Sequence, residues 1–255
     1  MLLSNKKERI TMPKPLGRYK AITFDCYGTL IDWETGIWNA GQNLLKYNKC
    51  DTISRDLFLK EFADWETKFE AENPTMLYPS ILAQVHKSIA RKYNLTTSEK
   101  MDEAFGNSVP HWPAFCDSSE ALRRLQKHAK LFILSNVDRA SFYTSKLKLG
   151  IEFEGVFTAE EIGSYKPNTD NFQYLINSLK KDFNILPSEI LHTAQSLHHD
   201  LVEATALGLD TAWIDRQRLS DGGKWGATSI VLEKISPNYL FFSMSEMVTH
   251  FLNAT

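Results

Sequence analysis

The stretch AITFDCYGTLIDWE, residues 21–34, fixes how the rest of the chain is understood. A short apolar run delivers a lone carboxylate, Asp25, into a turn built by Gly28 and Thr29. Apolar, β-branched residues bounded by turn formers predict a buried strand. A carboxylate at the end of such a strand, ringed by free backbone N–H groups, is placed to act as a nucleophile. Two residues on, where phosphate chemistry would call for a second acid, stands Tyr27.

Working outward, further runs repeat the pattern: KLFILS (130–135), GVFTA (155–159), EILHTA (189–194) and LDTAWID (209–215). Most are followed by polar residues and a helical periodicity, which predicts a parallel sheet with helices on both faces. Ligands of such sheets bind beyond the carboxyl ends of the strands. The residues delivered there are Asp25, Ser135 with Asn136, and the segment from Gln195 to Asp200. Residues 32–112 have another character. RDLFLKEFADWETKFEAE (55–72) carries Leu57, Phe58, Phe62, Trp65 and Phe69 on one helix face, and YPSILAQVHKSIARKY (78–93) gives a second amphipathic helix after Pro79. We expect an α/β fold: a Rossmann-like parallel-sheet core (18–31 and 113–255), a helical cap inserted at 32–112, and a mostly disordered arm at 1–17 with Lys6, Lys7 and Arg9 in solvent. Trp33, Trp38, Trp65 and Trp112 belong to the inserted segment or its edges. Trp65 is expected in its core, and Trp33 and Trp112 at the hinges, where either can wall a pocket.

Composition sets the frame. Of 255 residues, 43% are hydrophobic and 24% charged, as in an ordinary globular protein. With 29 basic against 31 acidic side chains the net charge is −2, so no global field recruits nucleic acid or an anionic membrane. Three cysteines, Cys26, Cys50 and Cys116, cannot all pair and have no metal-ligand spacing, which favours a reducing, cytoplasmic setting. Neither a leader nor a membrane-spanning run is evident, and a soluble protein is expected.

The strand ends together resemble the haloacid dehalogenase superfamily. From Tyr19 to Arg216, the Asp25–Thr29 turn, ILSNVDR with Ser135 and Asn136, GSYKPN with Lys166, and HTAQSLHHD with Asp200 stand in that family's order. Phosphatases of the superfamily resemble Asp-x-Asp followed later by Gly-Asp, acids that serve the leaving oxygen and a magnesium ion. Here those positions are Tyr27 and Ala194–Gln195, so phosphoryl transfer fits poorly. FDCYGTLIDWE instead resembles the metal-independent 2-haloacid dehalogenase branch, and within it the motifs are similar to azetidine-2-carboxylate hydrolases, which open a strained ring beside a carboxylate.

The resemblance implies roles. Asp25 would be the nucleophile, oriented by Thr29 and neutralised by Lys166. Asp200, with Lys166, would activate the hydrolytic water. Ser135 would contact the substrate carboxylate and Asn136 the leaving group. Cys26, Tyr27, Trp33 and Gln195 complete the expected substrate contacts. Backbone N–H groups after Asp25 would stabilise an oxyanion, while the Cys26 thiol itself points to the other side of the strand. No metal or cofactor is implied. The partner is a small carboxylate substrate, with a homodimer an option. Phe172 replaces a tyrosine of the family, Gln195 and Leu197 replace a serine and an asparagine, and only Arg55 and Lys60 offer themselves for the halide-binding arginine. An amine leaving group would call for an acid, with Gln195, His198 and Asp32 as the polar candidates. Of His198 and His199, one is expected in solvent and one capping a helix. A phosphatase with a degenerate metal site and a non-catalytic small-acid-binding protein are the rival expectations.

Overall fold

The computed structural model describes residues 15–223 and 235–253. The predicted arm lies outside the described residues up to position 14, and its last residues enter a one-turn 3-10 helix, Leu16–Arg18. Six parallel strands form one sheet: β1 (Ala21–Phe24), β2 (Lys130–Ser135), β3 (Gly155–Thr158), β4 (Ile190–Ala194), β5 (Asp210–Ile214) and β6 (Tyr239–Phe241), in the order β3-β2-β1-β4-β5-β6. The first five fall on the apolar runs singled out in the sequence. The sixth is an outer strand of three residues in which only Tyr239 and Phe241 are buried, too short to show a period.

β1 is central, pairing Phe24 with Ile133 of β2 on one side and with Thr193 of β4 on the other. That register sets Asp25, Ser135 and Gln195 at neighbouring strand ends. Helices α1 (Trp33–Tyr47), α2 (Arg55–Glu72), α3 (Tyr78–Lys92) and α4 (Glu99–Gly106) are inserted between β1 and β2. Asp32 caps α1 by accepting the Thr35 N–H at 3.1 Å, and Ser54 caps α2 through the Leu57 N–H. α3 begins at Tyr78 with Pro79 in its first turn, a position where the missing N–H costs nothing. The remaining helices alternate with the strands: α5 (Ser118–Leu125), α6 (Arg139–Leu149), α7 (Ala159–Ile162), α8 (Thr169–Phe183), a π-helical turn at Leu197–Leu201 leading into α9 (Val202–Ala206), and α10 (Met244–Asn253).

One apolar core runs from Ile22 and Phe24 into Ile37, Phe58, Phe62, Ile81 and Phe105 of the inserted helices, and the opposite sheet face packs Phe132 and Leu134 on Phe172, Leu175 and Leu179. Gly36 lets α1 settle on Trp112, since a Cβ there would come within 2.3 Å of the indole. Trp65 is only half-buried, stacked on Phe69 at 5.7 Å with the Lys68 ammonium 5.0 Å from its ring. No helix among the described residues is long and apolar enough to cross a membrane.

Candidate active site

Asp25 leaves the end of β1 with its N–H donated to the Thr193 carbonyl at 3.1 Å. The turn after it places the Thr29 hydroxyl 2.7 Å from Asp25 Oδ2, and the Gln195 N–H donates to that same hydroxyl at 2.8 Å. Thr29 therefore has its proton directed at the carboxylate. Gly28 adopts φ +98°, and a Cβ there would meet Gln195 Oε1 at 2.8 Å and Trp33 Nε1 at 3.2 Å. Only glycine turns the chain so closely under these side chains. Arg216 secures the far side of the turn, donating to the Thr29 carbonyl from Nε (3.0 Å) and Nη2 (2.7 Å), pairing with Asp117 and lying 3.8 Å over Phe115.

Lys166 reaches this point from the loop before α8. Its ammonium, buried, donates to Asp25 Oδ1 at 3.0 Å, to Asp200 Oδ1 at 2.7 Å and to the Leu134 carbonyl at 3.0 Å. All three donors of the ammonium are thus directed. Asp200, on the π-helical turn, also lies 3.0 Å from His192 Nε2, and His192 Nδ1 lies 2.8 Å from the Thr23 hydroxyl.

Burial works against every charge in this group, and the outcomes differ. Burial would lower Lys166, but the Asp200 and Asp25 carboxylates hold it above its ordinary value. Burial would raise Asp200, but Lys166 and the His192 contact hold it below the usual carboxylate range. For Asp25, burial prevails over Lys166 and the Thr29 hydroxyl, with Asp200 adding repulsion, and its carboxyl is pushed up. Two coupled carboxylates on one ammonium are in this way set apart.

These groups open onto a cavity of about 60 Å³, which has room for several water-sized groups. Its floor is Asp25, Tyr27, Asn136, Lys166, Gln195, His199 and Asp200; the inserted helices contribute Trp33, Glu66, Glu70 and Tyr78 as its roof. The Tyr78 hydroxyl donates to Glu66 Oε1 at 2.5 Å, and Asn136 Nδ2 donates to Glu70 Oε2 at 3.1 Å. Burial raises the Glu66 carboxyl to about 7 against the opposing Tyr78 hydrogen bond. Burial raises Glu70 well above its ordinary value, Glu66 adds to it, and Lys166 and Asn136 oppose. His199 is held uncharged, its imidazole lowered to about 4 chiefly by burial. On the cavity wall, Asp200 Oδ2 and His199 Nε2 are buried without a partner, the signature of atoms that meet solvent or ligand. Among the described residues, the backbone N–H groups of Cys26 and Tyr27 also have no acceptor within the protein.

Asp25, Thr29, Lys166 and Asp200 are therefore brought into one hydrogen-bonded group, with Tyr27, Trp33, Asn136 and Gln195 around the cavity. Two expected substrate contacts stand elsewhere. Cys26 is buried in the apolar core, where the strand's alternation sends its side chain, and lends the cavity nothing but backbone. Ser135 is buried at the end of β2 and does not line the cavity. Asn136 does line it, but its amide is spent on protein: besides Glu70, it donates to the Lys166 carbonyl at 3.0 Å and accepts the Lys166 N–H at 2.7 Å. Tyr27 turns its phenol to Ser145 Oγ at 3.0 Å. Arg55 and Lys60 are exposed, away from the cavity, and Asp32 is engaged in capping α1. His198 and His199 are both half-buried, and Ser196, not a histidine, caps the turn.

Sequence patterns did not single out Glu66, Glu70, Tyr78, His192 or Arg216. The signals were present for two kinds. Glu66 and Glu70 continue the line of Phe58 and Phe62 at four-residue steps, acids set in an apolar stripe, and His192 is an imidazole inside an apolar strand. Among the described residues, no group of three or more His, Cys, Asp or Glu side chains is placed to hold a metal ion.

Set beside known proteins, residues 19–193 match the family model of haloacid dehalogenase-like hydrolases. The chain belongs to that family. A search of curated protein sequences finds no match. Among solved structures, a dehalogenase with an intermediate complex is similar at a TM-score of 0.75 and 18% identity, covering 91% of this chain and 97% of that one. The L-2-haloacid dehalogenase of Xanthobacter autotrophicus with chloropropionic acid covalently bound is similar at a TM-score of 0.73 and 14% identity, covering 93% and 100%. The HAD-hydrolase YfnB of Bacillus subtilis bound to magnesium is similar at 0.74 and 17%, covering 92% and 99%. At these identities the likeness establishes the fold.

Proposed function

We propose that this hydrolase acts without a metal on a small 2-substituted carboxylic acid, through a covalent ester on Asp25, with residues 32–112 serving as a cap over the core. The observation that carries this is the Lys166 ammonium shared by Asp25 and Asp200 at 3.0 and 2.7 Å at the base of a cavity. Lys166 opposes the burial that favours a protonated nucleophile and aims it. Asp25 attacks the α-carbon, displaces the 2-substituent and becomes an ester. Water held against Asp200 Oδ2 and His199 Nε2, both buried and unpartnered, then attacks the carboxyl carbon of Asp25. The oxyanion so formed faces the free N–H groups of Cys26 and Tyr27, and one such donor contributes about 3–4 kcal/mol in other hydrolases. Support comes also from the similar dehalogenase that carries chloropropionic acid covalently bound. A 2-haloacid and azetidine-2-carboxylate are the two substrates this chemistry suits.

Single-turnover hydrolysis in ¹⁸O-labelled water, in the presence of a chelator, tests the proposal. The expected result is label in the peptide that contains Asp25 and no turnover by Asp25→Asn. Label only in product, or phosphate release from small esters that depends on added magnesium, would overturn it.

A further inference from the structure

One buried titratable side chain next to the site takes no part in the proposed reaction. His192 is fully buried in the middle of β4, its ring edge-on to Phe172 of α8 at a centroid distance of 4.9 Å. It does not line the cavity. Sheet register sets it directly opposite Thr23 of β1, and its Nδ1 lies 2.8 Å from the Thr23 hydroxyl. Its Nε2 reaches the other way, to Asp200 Oδ1 at 3.0 Å. A core histidine with no function would need only local partners for its two nitrogens. Here one of the two is the carboxylate that faces the cavity.

The proton positions follow from the partners. Burial would raise Asp200, but Lys166 keeps it a carboxylate, which can only accept. The ring nitrogen facing it therefore donates, and Nδ1 is left to accept the Thr23 hydroxyl. Asp200 Oδ1 then receives two donors, the Lys166 ammonium at 2.7 Å and the His192 N–H at 3.0 Å, which fill both of its lone-pair sites. Oδ2 receives none from the protein, and both of its sites are free. Lys166 alone, a rotatable point charge shared with Asp25, would hold the carboxylate near but leave it free to turn about its own axis. A second donor, fixed in a strand, decides which oxygen faces the cavity.

We propose that His192 is a positioning residue for the hydrolytic half of the reaction: by donating to Asp200 Oδ1 it turns Oδ2 toward the attacking water. This rests on the covalent ester assigned to Asp25. In that step the water oxygen bonds to the Asp25 carboxyl carbon, and the bond between that carbon and the ester oxygen breaks. One water proton passes by way of Asp200 Oδ2 to the departing alkoxide, and the other is released as Asp25 returns to its carboxylate. Formation of the ester draws on Asp25 and Lys166 and uses no water, so His192 acts on the second half alone.

Two measurements test this. In the intact protein with ¹⁵N-labelled histidine, the His192 ring, identified by its loss in His192→Gln, is expected to carry a proton on Nε2. A bare Nε2 would overturn the proposal without any substrate. Rapid-quench mass spectrometry then follows the Asp25 adduct formed from L-2-chloropropionate or from L-azetidine-2-carboxylate. His192→Phe, checked for fold by circular dichroism, is expected to form the adduct within about threefold of the parent rate and to hydrolyse it about 10–100-fold more slowly, so that adduct accumulates and kcat and KM fall together. His192→Gln, which offers an N–H at nearly the position of Nε2, is expected to recover most of the hydrolysis. Equal slowing of both halves, or a glutamine no better than phenylalanine, would reduce His192 to a packing residue. Adduct cleared at the parent rate in His192→Phe would remove the role of His192 and leave the Asp25 ester standing. Product from the parent with no adduct in any variant, or neither acid consumed, would remove the ester and this role with it.

Discussion

The floor and the roof of the cavity are built on different rules. The floor is made of strand ends. Asp25, Gln195 and the loop of Lys166 are fixed by sheet register, backbone hydrogen bonds and a buried ammonium with every donor committed. The roof is made of side chains reaching down from helices, Trp33, Glu66, Glu70 and Tyr78, and its chemistry is a matter of which face of α2 looks inward. A floor of this kind suits a reaction, because displacement of its atoms by a fraction of an ångström is felt at the Asp25 carboxyl. A roof of this kind defines a substrate, because its side chains are exchanged without disturbing the sheet.

Substitutions on the two surfaces should break that distinction or sharpen it. Asp25→Asn is expected to lower kcat by at least ~10⁴-fold, with an unchanged far-ultraviolet dichroism spectrum; retained turnover would show that the floor does not carry the reaction. Lys166→Met leaves two buried carboxylates without their cation, and both activity and stability should suffer, the latter by roughly 3–5 kcal/mol in urea unfolding at neutral pH. An unchanged midpoint would mean the floor is less tightly coupled than its distances imply.

The roof is expected to behave otherwise. Glu66 has its folded-state carboxyl raised to about 7, so the folded chain retains a proton that the unfolded chain gives up near pH 4.5. Stability is therefore fully present below the lower value and declines as the pH rises toward the upper one. Glu66→Gln removes that titration, and its melting temperature should exceed that of the parent at pH 8 and approach it at pH 5, an effect on the order of 2 kcal/mol. The groups facing this carboxyl are Tyr78 from α3 and Glu70 from α2, with Lys166, Asp25 and Asp200 across the cavity, and no arginine lines it. For turnover the sign is set by the floor. Activity should rise with pH as Asp25 loses its proton, above the range of an exposed aspartate because burial raises it. A rate that stays constant between acid and neutral pH would take the Asp25 titration out of the reaction. The smallest effect is expected at Arg216→Lys, which keeps a charge near Asp117 but gives up the forked contact on the Thr29 carbonyl. A loss of about 1–2 kcal/mol and a few-fold fall in kcat at unchanged KM would be read from denaturation and steady-state rates.

The same division decided what the sequence could tell. Strand ends are read in order along the chain, so the apolar runs before Asp25, Ser135, Gln195 and Asp210–Ile214 announced both the sheet and the carboxyl end where the chemistry lies. Helix faces are read by period, and period reports which side is apolar without saying what that side meets. Glu66 and Glu70 sit on the inward stripe of α2, where the acids register as breaks in a hydrophobic pattern, and nothing in the pattern says that Asp25 and Lys166 lie opposite. Arg216 contacts a turn nearly two hundred residues away, a pairing that only the closed sheet creates. The Cys26 thiol and the Asn136 amide show the converse: position beside Asp25 is legible, but the direction of a side chain and its prior commitments are set by packing.

Asn136 has one further consequence. With its oxygen and one N–H on the Lys166 backbone and the other N–H on Glu70, a single amide is at once a rivet in the Lys166 loop and a tie to the helix above it. The Lys166 ammonium is anchored independently, on the Leu134 carbonyl and the two carboxylates, so Asn136 ties α2 to the backbone of the lysine loop while the aim of the ammonium belongs to the sheet.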